Sequence, residues 1–144
     1  MDPLDVIDPA PRIAHFRGER LELRPLTLGD LPAFSRLVRP VVEEFYGGRH
    51  PEWEGDDTLM AIEMLELHGE SIIEAAAIAT GKPAKFIAEG KGPAELLDLI
   101  RAIVEINRDF FLNLVRVTQS RLRARDANGV GPTPSTVSLQ PVTR

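Results

Sequence analysis

The chain contains three histidines, His15, His50 and His68, and no cysteine. Paired imidazoles on one helix face bind metal when they stand about four residues apart, and no two of these are so spaced. The lack of cysteine excludes a disulfide scaffold, a thiolate zinc site, an iron–sulfur cluster and a thiol nucleophile. His50 lies close in sequence to Glu52, Glu54, Asp56 and Asp57, a set that suits a hard cation. Calcium loops need a glycine turn and ligands at fixed alternating positions. This stretch lacks that register and reads as a solvated acidic loop. The carboxylate pairs Glu43-Glu44 and Glu63 with Glu66 would do acid–base work only in a dry cleft. On an acidic amphipathic helix they read as surface groups.

Nucleophile and phosphate motifs are missing. Gly81-Lys82 is followed by Pro83 and not by Ser or Thr, and no glycine-rich loop precedes it, so it is not a Walker motif. Gly90-Lys91-Gly92 is too short for a dinucleotide fingerprint, and no Gly-x-Ser-x-Gly occurs. Caps and turns between helices account for these glycines. No catalytic, cofactor-binding or metal-binding residue is assigned, and the chain reads as a non-enzyme without cofactors.

The elements that carry these residues follow from composition and periodicity. The 144 residues make one domain's worth of chain, 43% hydrophobic and 27% charged. Residues 1–100 hold 10 basic and 19 acidic side chains, whereas residues 101–144 hold 7 basic and 3 acidic. Residues 43–74 alone carry ten carboxylates against the single Arg49. Such a body is poor footing for a polyanion, because phosphate contacts supply much of nucleic-acid affinity. No apolar run approaches the roughly 20 residues of a membrane helix. The Met1-Asp2-Pro3-Leu4-Asp5 start lacks a signal-peptide pattern, and a soluble cytoplasmic protein is expected.

Residues 1–11, with three Asp and three Pro, read as a flexible arm. Residues 12–24 read as a β-hairpin turning at Arg17-Gly18-Glu19, with Ile13, Leu21 and Leu23 as its apolar positions. Thr27 and Asp30 are spaced as a capping box, and Asp30 as N-cap places Pro32 in the first helical turn. The face Leu31, Phe34, Leu37, Val38, Val41, Val42 then follows helical spacing, and Pro40 is expected to end or kink the helix. A loop runs from Gly47-Gly48 to about Asp57. A second helix, capped by Asp56 or Asp57, should end at His68-Gly69, and a third should run from Glu70 to Thr80. A short helix is expected over Pro83 to Ala88. Gly92-Pro93 should open the longest helix, continuous to about Arg125, with residues 126–144 as a disordered tail. The fold class is therefore mainly α, four to five helices in residues 12–125 with a small N-terminal β-hairpin.

Two features of these helices bear on binding. The segment 72–88 has the alanine-then-glycine rhythm of a helix-turn-helix, which supports an alternative reading as a small nucleic-acid-binding regulator. Its would-be recognition helix is only about two turns long and offers few groups suited to base edges. Asn107 lies in the apolar stripe between Ile103 and Phe110. A buried amide needs partners, so Asn107 is expected to clamp a neighbouring loop or else to meet a partner's backbone. The adjacent Phe110 and Phe111 diverge by about 100° on a helix, so one is expected in the core and the other on a second face or exposed.

Three stretches in consistent order resemble the tail assembly chaperones of long-tailed bacteriophages and prophages. They are Leu23-Arg24-Pro25-Leu26-Thr27-Leu28-Gly29-Asp30-Leu31-Pro32-Ala33-Phe34, His68-Gly69-Glu70-Ser71-Ile72-Ile73-Glu74-Ala75 through Ala79-Thr80-Gly81-Lys82, and Val104-Glu105-Ile106-Asn107-Arg108-Asp109-Phe110-Phe111. The last is similar to an E-x-N-x-D-F-F ending. The chain departs from the pattern in its 47–57 loop and after Arg125. The resemblance implies a non-enzymatic helical protein of the bacterial host cytoplasm, lost from the finished virion. Its implied partners are the tape-measure protein, which it keeps soluble, and tail-tube subunits, with self-association left open and neither membrane nor nucleic acid expected. Ile106, Asn107, Phe110, Phe111 and Leu114 are the partner-binding candidates.

Overall fold

A computed structural model describes residues 11–130. All but Pro11 of the arm expected over 1–11, and residues 131–144 of the tail expected over 126–144, lie outside the described residues. The elements are strands β1 (Arg12–Phe16) and β2 (Glu19–Leu23), then helices α1 (Leu31–Tyr46), α2 (Asp57–Thr80), α3 (Ala84–Ala88), α4 (Pro93–Ile106) and α5 (Arg108–Val130). A 3-10 turn at Pro51–Trp53 sits between α1 and α2. The fold is mainly α with one antiparallel hairpin, as its sequence predicts.

The hairpin pairs Ala14 with Leu21 and Phe16 with Glu19. Ala14, Phe16, Leu21 and Leu23 face the core, so Ala14 and Phe16 hold the inward positions on β1 and the half-buried Ile13 does not. The two-residue turn needs positive φ at both central positions, and Arg17 (55°) and Gly18 (76°) supply it. Arginine adopts that region at some cost. Here its side chain is anchored, donating to the Phe86 carbonyl at 3.2 Å and pairing with Glu89 at 3.4 Å. Arg17 thus ties the hairpin to α3, and an Arg12–Glu105 ion pair ties it to α4.

Helix α1 starts after Asp30, whose carboxylate accepts from the Thr27 N–H and hydroxyl. It does not end at Pro40 but continues to Tyr46. Proline removes one N–H, which strands the carbonyl four residues back. Arg36 and Pro40 are both exposed, so the proline sits on the solvent side of the helix and not in the core.

The expected second and third helices form one element, α2. Asp56 caps it, accepting from the Leu59 N–H at 3.0 Å, and Gly81 ends it in the left-handed region (φ 74°) with its N–H on the Ala77 carbonyl. The expected break at His68-Gly69 is a kink, with non-helical angles at His68 (φ −137°, ψ 24°).

The expected single long helix is broken at Asn107 (φ −113°, ψ 35°). The amide Nδ2 donates to the Ile103 carbonyl at 2.9 Å, and Oδ1 accepts the Leu26 N–H at 2.8 Å. Asn107, only 8% exposed, therefore clamps the strand-to-helix connection. This side-chain bonding gives the backbone an alternative to helical continuity. Beyond the break, α5 runs to Val130 rather than stopping near Arg125.

The main core joins the inner hairpin face to Phe34, Val38, Ala75, Ala76, Ile87, Leu99, Ala102, Ile103 and Leu114. A smaller cluster of Trp53, Met64 and Ile72 lies beneath the 47–56 connection. That connection is acidic but not wholly solvated, because Trp53 folds inward and is 7% exposed.

Candidate functional site

Helices α1, α2, α4 and the start of α5 leave an apolar groove between them. Its volume is 320 Å³. The floor is built from core residues, including Phe34, Ile72, Ala76 and Ile103. Val41, Val42, Phe45 and Tyr46 form one wall, Met60, Ala61, Met64 and Leu65 a second, and Leu97, Ile100 and Val104 a third. Phe111 and Val115 of α5 close one side. Apart from the Tyr46 hydroxyl, no side chain lining the groove carries nitrogen or oxygen. Phe45 and Tyr46, with edge-to-face rings 4.9 Å apart, remain 47% and 41% exposed at its rim.

The continuation of α1 past Pro40 creates this site, because Val41, Val42, Phe45 and Tyr46 all lie beyond the proline. A polar clasp fixes that last turn. Glu44 faces two imidazoles, with His50 Nε2 at 2.6 Å from Oε2 and His68 Nε2 at 3.1 Å from Oε1. Arg49 adds a contact at 3.2 Å. A carboxylate only accepts, so both imidazoles present N–H to it. His68 reaches Glu44 from the kink of α2, so the kink aims a side chain across to α1.

His50 is held further. Its Nδ1 lies 3.2 Å from Glu52 Oε2, and its ring stacks on the Trp53 indole at 3.9 Å and 8° between planes. The Trp53 Nε1–H donates to Glu63 Oε1 at 2.7 Å. The hydrogen bonds from His50 and His68 hold the Glu44 carboxyl below its ordinary range. The bond to Glu44, aided by Glu52, raises the His50 imidazolium above its ordinary range. His50, Glu52 and Glu63 each bring one ligand atom within 4.8 Å of the others.

Of the five partner-binding candidates, only Phe111 lines the groove. Asn107 is the buried clamp, Leu114 is core, and Ile106 and Phe110 are half-buried against the core. The expected division between Phe110 and Phe111 does not occur. Both are half-buried and both meet the Phe34 ring edge-on, at 5.8 and 5.9 Å. Phe34 lies between the two directions in which neighbouring helical side chains diverge. Sequence reasoning missed Phe45, Tyr46, Met60 and Met64 as wall residues. It also missed Glu44 with His50 and His68, whose separations of 6 and 24 residues follow no local period.

Among the described residues no helix is long and apolar enough to cross a membrane. No curated protein and no solved structure gives a significant match to the chain. A family profile does match it, over residues 3–144. The chain belongs to that family, a family of unknown function (DUF6631).

Proposed function

We propose that this protein is a tail assembly chaperone of a long-tailed bacteriophage or prophage, which holds apolar helical segments of a tape-measure protein in the groove. The observation that carries this reading is the groove itself, walled by four helices and lined almost wholly by apolar side chains. Seating an amphipathic helix in such a groove is an established recognition mode. Two of the chain's three methionines, Met60 and Met64, line it. Methionine is flexible and polarizable, which suits a surface that accepts many related segments. A long partner with many apolar stripes needs such tolerance. Of the acidic residues of 43–74, Glu43, Asp57, Glu63, Glu66, Glu70 and Glu74 lie on two of the same helices and would keep the complex soluble. Tail-tube recruitment, release before the virion matures and residence in the bacterial host cytoplasm belong to this proposal and rest on the family resemblance.

The runner-up, a nucleic-acid-binding regulator, gains little support from the geometry. Helix α3 holds only five residues, and α2 before it is acidic over much of its length.

The test is co-expression with the tape-measure protein of the same gene cluster, measuring its soluble fraction. Wild type should raise that fraction. Phe45→Glu, at a half-exposed wall position, should fold and fail to do so. If wild type leaves the partner insoluble yet shifts DNA in a low-salt gel, the regulator reading replaces this one.

A further inference from the structure

We propose that His50, Glu52 and Glu63 form a binding site for one first-row divalent transition-metal ion of zinc-like ligand preference, which staples the 47–56 connection onto α2. Their ligand atoms all lie within 4.8 Å of one another. Metal–nitrogen and metal–oxygen bonds of about 2.0–2.2 Å then reach one central ion with small side-chain rotations. Two of the three are carboxylates. Like charges held this close repel unless a cation or proton lies between them.

The surroundings match what a metal-binding imidazole requires. Such a histidine usually donates its other ring N–H to a carboxylate, which fixes the tautomer and the ring's direction. Here Nε2 faces Glu44 at 2.6 Å and Nδ1 lies 3.2 Å from Glu52 Oε2, which leaves Nδ1 as the nitrogen for an ion. Glu44 is itself held by His68 and Arg49 and is 14% exposed. The buried Trp53 braces two ligands at once, stacking flat on His50 and donating to Glu63 Oε1. Glu63 keeps its second oxygen for an ion. These supports come from α1, the 3-10 turn and α2, so the ligand directions are set by the tertiary fold.

The donor set names the class of ion. One imidazole with two carboxylates suits zinc, nickel, cobalt or manganese, whereas calcium and magnesium take oxygen ligands. Three protein ligands leave the remaining positions to water. The site is separate from the groove's lining and stands whatever occupies the groove. Its effect would be to stiffen the connection that follows Phe45 and Tyr46.

Trp53 is the only tryptophan and stacks on the proposed ligand, so its emission reports the site directly. The experiment strips the full chain with chelator, then titrates zinc by calorimetry and nickel by Trp53 quenching. The expected result is one ion per chain, with affinity reduced about tenfold or more in Glu63→Gln and in Glu52→Gln. Glu63→Gln keeps the amide oxygen that accepts from Trp53, and circular dichroism confirms that each variant is folded. His15→Ala, on the hairpin, should bind as wild type does. The proposal is overturned if zinc gives no heat and nickel no quenching up to about 1 mM. It is equally overturned if binding survives both glutamine variants, or if calcium binds as tightly as zinc.

Discussion

Replacing Asn107 by leucine isolates the polar part of its role, because leucine nearly matches asparagine in shape. In the native chain Oδ1 accepts the Leu26 N–H at 2.8 Å, and Nδ2 donates to the Ile103 carbonyl at 2.9 Å. The Ile103 carbonyl also accepts the Asn107 backbone N–H at 3.2 Å, so it keeps a partner in the variant. The Leu26 N–H loses its acceptor. A stranded buried donor costs about 1–3 kcal/mol. Leu26 is half-buried, which admits some water and places the expected loss near the middle, about 2 kcal/mol. For a domain of this size that lowers the melting temperature by roughly 8 °C. The assay is denaturant unfolding followed both by far-ultraviolet circular dichroism and by Trp53 emission, with coincident curves as the check on two-state behaviour. Because Asn107 is buried and does not line the groove, the folded variant should still bind through the groove. A stability change below about 0.5 kcal/mol would refute the clamp, and a folded variant that no longer binds would move Asn107 to the partner interface.

Gly90→Ala should destabilise by about 1–3 kcal/mol, read from thermal melts, because the new Cβ would stand 2.6 Å from Cζ of Phe16, a ring only 1% exposed. Truncation after Asp126 should change the melting temperature by less than about 5 °C, since the described side chains of α5 from Gln119 onward are exposed except for half-buried Leu122. In chelator, stability should be greatest between about pH 4.5 and 6.5. Glu44, lowered in the fold, contributes above its ordinary 4.5 and loses that contribution as pH falls through its lowered value. His50, raised in the fold, contributes below its ordinary 6.5 and loses that contribution as pH rises through its raised value. A melting temperature that climbs steadily on the alkaline side of 6.5 would contradict the clasp of Glu44 by His50 and His68.

The parts of the fold legible in the sequence are those set by local chemistry. The Arg17-Gly18 turn, the Asp30 start with Pro32, the Asp56 cap and the Gly81 end each depend on residues within one turn of one another. Where distant partners decide, local reasoning goes astray. Pro40 reads as an end or a kink, but it is exposed and α1 continues to Tyr46, so Val41 and Val42 are legible as an apolar face while Phe45 and Tyr46 further along are not. Asn107 reads as a member of one long helix, yet Leu26, 81 residues earlier, draws its side chain into a clamp that breaks the helix. Phe110 and Phe111 diverge as helical geometry requires, but Phe34 fills the space between them. The clasp on Glu44 is the least legible feature, because α1, the 3-10 turn and the α2 kink must all be in place before its groups meet.

Under the proposed function, the groove holds a helical apolar segment of a tape-measure protein. The most direct measurement is photo-crosslinking in cells that make both proteins, with a benzophenone amino acid at Tyr46 on the groove rim or at Arg20 on the exposed hairpin edge. The expected result is a covalent adduct with the tape-measure protein from position 46 and none from position 20. No adduct at position 46, or equal adducts from both positions, would contradict the account.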